Sequence, residues 1–583
     1  MAEFSPPPGA AQSVAGAPLS RGARGMLWAI FAAILALRIL CIRHFRIDSD
    51  EPQHLHIVWG WTHGLMQYRE IFDNHTPLFH LACQPVLRLV GERADTLVAM
   101  RFAMMPLFFF SLWCVYRLGL ALHSQAAGVW GAVFAALTPA FCFTFTEFRA
   151  DDLWTAFWLL ALVVLLGGEP VWRRGLGAGL LMGAAVATSL KTLALLGCLG
   201  AAAIAGLLLA GQCRAVFTTR RTYGLLASIF AGLLVVPALL AGWFASRHAL
   251  DDALYGIFTY NSVPGLGRMR LPRNLILGLF ALASLMAMLI PASAAMARRL
   301  IAPGRRFHFH LIFLGSGFYG ALIYTLWPLL DAEHFIPFHP LFTLGLMPLA
   351  LHGLARPSAL RTVAAQRAAL AALAFALIAV EAFQVRKDKV SGDIGHYAEL
   401  LRLSDPADYV MDLKGETIFR QRPYRFLFEG VGILRARKHF LPDTIPERMI
   451  ATRTCIAVPR TYRFIFPRAL AFMDENYIST GAFRVLGHAM TPAADASGYV
   501  FQTVIPASFA FLSDRKFVPG KIDGQPCAGF ATLAAGPHAF VPDTLKEPVD
   551  FVWKQAVDRG FFPDQKTAES APRPPGKSGE HSP

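Results

Sequence analysis

Hydrophobic positions in this chain come in long runs and not in the short alternations of a soluble core. From about residue 26 to 384 the sequence is a succession of apolar stretches of roughly 20 residues, the length that crosses bilayer hydrocarbon as a helix, separated by short polar loops. Runs near 26–42, 97–116, 126–146, 153–168, 175–190, 192–210, 224–245, 274–297, 308–329, 335–354 and 364–384 predict about eleven transmembrane helices. The stretch 175–210 is too long for one helix and carries Lys191 at its middle. Two helices meeting in a tight turn at Ser189–Thr192 are therefore expected, with Lys191 at the membrane surface. The first run exceeds a usual signal-peptide core and lacks a cleavage site, so it reads as a retained helix.

Past residue 386 the pattern changes. Polar and mixed-charge sequence with β-favouring runs at Tyr409–Met411, Tyr424–Phe428 and Tyr499–Phe511, and turn signals around Gly520–Gly524, predicts a soluble α/β or β-rich module at 386–563. Residues 1–25 and 564–583 are rich in Pro, Ser and Gly or Lys and read as disordered tails flanking a membrane domain at 26–385. Cys455 and Cys527 both fall in the module, where an oxidising compartment allows a disulfide. The other cysteines lie in or near apolar runs and read as packing residues.

Composition agrees with the pattern: 55% hydrophobic and 16% charged residues, with a mean hydropathy of +0.44, exclude a soluble enzyme. The net charge of +15 comes mainly from loop arginines and needs no nucleic-acid partner. Those arginines, among them Arg21, Arg24, Arg117, Arg173, Arg174, Arg220, Arg221, Arg298 and Arg299, fall on one side of the predicted spans, which is therefore cytoplasmic. The opposite loops collect Asp48, Asp50, Glu51, Asp73, Glu147, Asp151, Asp152, Asp251, Asp252, Asp331 and Glu333. One outer loop breaks the rule with Arg247, Arg268, Arg270 and Arg273, a hint of an anionic ligand. An odd number of spans places the module outside, as for a bacterial inner (plasma) membrane protein facing a periplasm.

Carboxylates beside hydrocarbon are costly unless they perform a task. Asp48-Ser49-Asp50-Glu51-Pro52 directly follows the first span, with Asp73-Asn74-His75-Thr76-Pro77 some twenty residues on. Ser49 or Asp50 suits an N-cap, Pro52 the first turn and Gly64 a helix stop. The predicted short helix lies along the membrane surface with Trp59 and Trp61 at headgroup level. An ionised carboxylate there can take a proton from a hydroxyl or bind a metal; otherwise it only caps a helix. Asp50, Glu51 and Asp152 can ligate a hard divalent cation such as Mg or Mn. His54, His56, His63 and His80 read as interfacial polar residues, since neighbours such as His54 and His56 face different sides of a helix.

At these residues the chain resembles the GT-C glycosyltransferases, in the branch of the dolichyl-phosphate-mannose protein mannosyltransferases and lipid A aminoarabinose transferases. Asp50-Glu51 is similar to that branch's Asp-Glu pair after the first helix. Asp152 in Ala150–Trp158 resembles its second acidic site, Lys191 in Thr188–Thr192 its Thr-Lys-Gly-like turn, and Glu333–Pro337 with Pro340 its entry to a late helix. The resemblance implies inverting transfer of a sugar from a polyprenyl-phosphate donor to an envelope glycan, glycolipid such as lipid A, or protein, on the non-cytoplasmic face. It implies Asp50 as the base, with Glu51 and Asp152 beside it. Where the branch carries a Glu-Lys-Pro-Pro-like turn this chain has His75, which leaves Lys191, His75, Arg268 and Arg270 as candidates for the donor phosphate. The competing class is a transporter or flippase of envelope precursors. Acids gathered at one surface and the lack of repeated halves argue against it.

Overall fold

The computed structural model describes residues 20–211, 220–267, 272–360, 362–458, 466–479, 483–490, 498–544 and 548–563. They divide into two compact units, 1–91 with 95–393, and 92–94 with 394–583.

The first unit is helical, and each predicted span has a counterpart. Helix α1 is Arg21–His44, α2 Asp50–Thr62, α3 Leu78–Val90, α4 Thr96–Leu122, α5 Gln125–Ala136, α6 Pro139–Thr144, α7 Ala150–Leu166, α8 Trp172–Thr188 and α9 Thr192–Leu209. Further helices run Arg220–Ser246, Pro272–Leu300, Arg306–Leu326, Phe338–Leu354 and Val363–Gln384. Among the described residues seven helices are long and apolar enough to cross a membrane. The other expected spans are shorter: α7, α8 and Phe338–Leu354 have 17 residues each, and the 126–146 run breaks at Thr138-Pro139 into α5 and α6. Helix Arg306–Leu326 forms the heart of this unit, with most of its length buried, whereas Arg220–Ser246 and Arg273–Leu300 have few fully buried residues, as helices at a lipid boundary do.

Close approach between α8 and Arg220–Ser246 depends on small residues. A Cβ at Gly179 would lie 2.2 Å from the Ile229 carbonyl oxygen and one at Gly183 2.5 Å from that of Leu233, the small-residue contact by which membrane helices gain dispersion energy. Two arginines buried among the helices, Arg38 and Arg101, donate to backbone and side-chain oxygens. Arg38 donates from Nη2 to the Phe145 carbonyl (2.7 Å), and from Nη1 to Thr146 Oγ1 (2.8 Å) and the Cys142 carbonyl, tying α1 to the end of α6. Arg101 of α4 donates to the carbonyls of Phe45 (2.9 Å) and Arg46 (2.7 Å) and to Glu51. The α1–α2 junction is thereby bolted to α4.

The second unit holds two sheets. The larger runs Val410–Met411, Ile456–Ala457, Arg484–Met490, Val549–Trp553, Ala507–Ser513, Phe530–Leu533, with Tyr477–Ser479 and Lys516–Phe517 as side pairings; only its first pair is parallel. The smaller runs Tyr499–Thr503, Gly536–Pro542, Gly520–Ile522, Gln525–Cys527, all antiparallel. Phe511 of the larger stacks on Phe540 of the smaller at 4.2 Å between ring centres, and Phe551 meets Phe501 at 4.7 Å, so the sheets pack face to face through aromatic side chains. The expected strand at Tyr424–Phe428 does not form. Arg422 donates to the Asp412 carboxylate and to the carbonyls of Asp412, Leu413 and Phe426, which curls the segment around the guanidinium. The run Tyr499–Phe511 is two strands in different sheets, separated by the segment containing Pro506. Cys455 and Cys527 are both free thiols and form no disulfide.

Candidate active site

The first-loop acids do crown a helix, and that helix is buried. Every residue of α2 from Glu51 to Trp61 is enclosed by protein, which corrects the expectation of a surface helix. The indole N–H of Trp61 donates to Gln67 Oε1 (2.9 Å), so the tryptophan is held by a buried amide and not by headgroups. The helix start is capped by Asp48: its Oδ1 accepts from the Asp50 N–H (3.1 Å), while the Asp48 N–H donates to Glu51 Oε1 (2.8 Å).

Asp50 and Glu51 are neighbours in sequence with different surroundings. Glu51 is fully buried and accepts from Arg101 Nε (2.7 Å), Arg101 Nη2, the Phe148 N–H (2.8 Å) and the Asp48 N–H. Those four donors fill its acceptor sites. The Asp50 side chain keeps 29% of its surface open and meets Arg149 Nη2 at 3.0 Å through Oδ2.

Arg149 is the centre of the site. It ends the Phe145–Arg149 turn, and its side chain, 6% exposed, faces five carboxylates: Asp48 (2.9 Å), Asp50 (3.0 Å), Glu333 (3.3 Å), Glu147 (3.5 Å) and Asp151 (3.5 Å). Burial pushes the Glu147 carboxyl well above its usual range, against the pull of Arg149. Burial likewise raises Glu333, with Arg149 again opposing. One fixed cation thus gathers acids from three separate stretches of chain.

Lys191 lies in the predicted turn between α8 and α9. It donates from Nζ to Asp151 Oδ1 (2.9 Å), stands 5.4 Å above the Trp154 ring, and is 20% exposed. The acid that joins Lys191 to Arg149 is therefore Asp151. Asp152 is fully buried, and neither of its carboxylate oxygens has a hydrogen-bond partner. Successive residues at the start of α7 point about 100° apart, which turns one of this pair to the site and the other away.

His75 sits on a turn of its own. Its Nδ1 bonds Asp73 Oδ1 (3.0 Å), and its side chain is 36% exposed. The buried Asp73 also accepts from Gln53 (3.1 Å) and Gln67 (3.1 Å), and the Tyr68 hydroxyl donates to the His75 carbonyl (2.7 Å). Asn261 donates to the Asn74 carbonyl (2.8 Å), fastening the turn from outside. Arg268 and Arg270 lie outside the described residues.

Among the described residues the group whose ligand atoms lie within 4.8 Å of one another is Asp331, Glu333 and His334, and neither Asp50 nor Asp152 belongs to it. Two carboxylates and an imidazole are a donor set that suits a divalent ion such as Zn or Mn, and both ring nitrogens of the buried His334 lack a partner. Arg149 already sits against Glu333, so an ion there shares that carboxylate with a guanidinium.

One turn along α7 from Trp154, Trp158 lines a small apolar cavity of about 10 Å3 with Leu195, Leu199, Ile312, Tyr319 and Phe338 among others.

This architecture is a GT-C glycosyltransferase fold. Residues 74–241 match the family model described as dolichyl-phosphate-mannose-protein mannosyltransferase. Among solved structures the chain is similar to ArnT from Cupriavidus metallidurans bound to undecaprenyl phosphate, with a TM-score of 0.55 and 13% identity over 80% of this chain and 98% of that one. The apo state of the same ArnT gives 0.52 with the same identity and coverage. An oligosaccharyltransferase from Archaeoglobus fulgidus in its apo form matches at 0.44 and 12% identity, over 81% of this chain and 74% of that one. No curated protein sequence matches.

The sequence points to the stretches that hold Asp48, Arg149, Asp151 and Glu333, with the Phe148–Asp152 turn expected to meet the first-loop acids and Lys191, but it gives these four residues no role of their own. One signal was present: in Glu147–Asp152 a single arginine stands among three acids on the acidic side of the membrane.

Proposed function

We propose that this chain transfers a sugar from a polyprenyl-phosphate donor to a hydroxyl of an envelope glycan, glycolipid or protein on the non-cytoplasmic face, with inversion at the anomeric carbon. The observation that carries the reading is the partly exposed Asp50 carboxylate held by Arg149, in one charged cluster with the partly exposed Lys191 through Asp151. The acceptor oxygen attacks the anomeric carbon, the bond from that carbon to the phosphate oxygen breaks, and Asp50 takes the acceptor's proton as base. The lipid phosphate leaves with its bonding electrons, and Lys191 stabilises the charge that develops on it. Arg149 orients Asp50 and Asp151. Glu51 positions the lip through Arg101 and touches no reactant, and Asp152 stays outside the chemistry.

A divalent ion at Asp331, Glu333 and His334, if bound, would supply positive charge beside Arg149; the steps above are those of the chain's own residues. The second unit is read as an exported module at 386–563. The test is mass spectrometry of envelope glycolipids, polysaccharides and glycoproteins from cells carrying the wild type, a deletion, or Asp50→Asn at matched membrane levels. A sugar-mass difference lost in both mutants supports the transferase. A solute-transport defect in the deletion that Asp50→Asn does not share refutes it.

A further inference from the structure

In the second unit the chain passes from the larger sheet to the smaller through Ala534-Ala535, between the strands Phe530–Leu533 and Gly536–Pro542. The same end of the smaller sheet carries the two-residue turn Asp523-Gly524, which joins Gly520–Ile522 to Gln525–Cys527. Both turn residues have positive φ, 49° and 81°, as the tight hairpin turns that favour Asp-Gly require. His538 stands between this turn and the crossover.

Its ring is bonded at both nitrogens. Nδ1 lies 2.6 Å from Asp523 Oδ2, and Nε2 lies 2.9 Å from the Ala534 carbonyl oxygen. A carbonyl oxygen only accepts, and so does an ionised carboxylate. A neutral imidazole has one N–H and one lone pair, so it satisfies one of these partners and turns its lone pair on the other. The imidazolium satisfies both. The two acceptors are held by further bonds of their own: Asp523 Oδ1 accepts from the Ala539 N–H (2.8 Å), the Asp523 N–H donates to the Ala539 carbonyl (2.9 Å), and the Ala534 carbonyl also accepts from Thr503 Oγ1.

The groups packed on the ring are Asp523 from the hairpin turn, the Ala534 carbonyl from the crossover and, from Tyr499–Thr503, the Phe501 ring at 5.8 Å between ring centres. Asp523 is the charged one. Burial opposes charge on the ring, but its bonds to Asp523 and Ala534 and the negative charge of Asp523 prevail, and the pKa is raised above the usual imidazole value. The bond from His538 also holds the Asp523 carboxyl below the usual carboxylate range, so the carboxylate stays ionised where the ring titrates.

We propose that His538 is a pH-operated latch at this corner of the second unit: as an imidazolium it ties the Ala534 crossover to the Asp523 turn, and as a neutral ring it lets the crossover go. Loss of one proton leaves the ring a single N–H. The bond to the carboxylate is the stronger, because its acceptor is charged, so the ring keeps Nδ1–H on Asp523. Nε2 then turns a lone pair to the Ala534 oxygen, and the crossover retains only its bond from Thr503 at that carbonyl. Because the folded pKa is raised, the latch is closed at low pH and its contribution is lost as pH rises through that value. It needs nothing from the transferase chemistry of the first unit.

The test is amide hydrogen exchange, read by mass spectrometry on the full chain in detergent between pH 5 and 9, with each rate divided by the intrinsic rate at that pH. Wild-type protection over 534–539 is expected to fall by up to about tenfold per pH unit above the His538 pKa, the slope for one bound proton, while the strand Val549–Trp553 shows no such slope. His538→Gln cannot charge and is expected to be open at every pH. Asp523→Asn removes the charge that raises the pKa and is expected to move the transition to lower pH. Wild-type protection that does not change with pH, or a slope that His538→Gln shares, overturns the latch. So does a transition that Asp523→Asn leaves where it was.

Discussion

The lip around Arg149 and the turn around Asp73 handle buried charge in opposite ways. At the lip one guanidinium faces five carboxylates, and arginine stays charged at every physiological pH. At the turn one carboxylate faces two imidazoles, His75 at 3.0 Å and His80 at 3.7 Å; burial lowers the His80 pKa to about 4, while for His75 the pull of Asp73 outweighs burial and raises it. The first arrangement is rigid and fixes geometry; the second responds to pH.

The largest effect expected from breaking this contrast is at Arg149. Arg149→Met leaves several carboxylates without their common cation, and removing one partner of a buried ion pair typically costs about 3–5 kcal/mol. The variant is expected to lose folded yield and, where any folds, thermal stability in detergent. Arg149→Lys is expected to rescue folding only in part, since an ammonium cannot reproduce the planar fork. A melting temperature equal to wild type for Arg149→Met would mean that the lip is not held by this residue.

Next is the separation of Asp50 from Glu51. Asp50→Asn keeps the shape of a partly exposed side chain and is expected to reduce transfer by about 10²–10⁴-fold, the usual worth of a positioned base, with little change in stability. Glu51→Gln turns two acceptor sites facing Arg101 and Phe148 into an amide that must present its NH2 to one of those donors. Its expected loss is about 1–3 kcal/mol of stability. Thermal melting and transfer kinetics on the two variants should give opposite rankings; matching rankings would merge the two residues into one role.

How much of this was legible in the sequence follows from what each feature depends on. The spans, the turn at Lys191 and the acidic lip depend on runs of residue type, and all of them were readable. The difference between Asp50 and Glu51 depends on Arg101, fifty residues away, which the apolar pattern treats as an interruption of α4. The choice of Asp151 over Asp152 depends on the phase of α7 against its neighbours, which an uncapped apolar run does not set. The burial of α2 was missed because its tryptophans and histidines have the composition of an interfacial helix; their partners, Gln67 and Asp73, belong to the loop that folds over it. In the second unit the Tyr424–Phe428 run has strand composition, and the Arg422 contacts that override it are long-range only in their effect.

Lys191→Ala sharpens the comparison by removing a fixed cation without touching the hub. Lys191 is partly exposed and its partner Asp151 retains Arg149, so stability should fall by no more than about 1 kcal/mol. The expected change is in donor use, with a raised KM for the lipid-linked sugar and an unaltered KM for the acceptor. If the acceptor KM rises instead, Lys191 faces the other substrate.

The smallest effect is expected at Asp251, in the short helix Leu250–Leu254. Its side chain is exposed, and it stands in the first turn, where a negative charge interacts favourably with the helix dipole. Five residues make a weak dipole, and exposed charges are screened by salt, so Asp251→Asn should change stability by less than about 0.5 kcal/mol. Transfer rate and the pH dependence of donor binding should both match wild type. The variant therefore separates two accounts of the acidic side of this protein: if outward carboxylates act by bulk negative potential, removing any one of them shifts donor binding in a salt-dependent way. If they act through contact with Arg149, a lone exposed acid outside that circle counts for nothing, and only the five carboxylates around the guanidinium are felt.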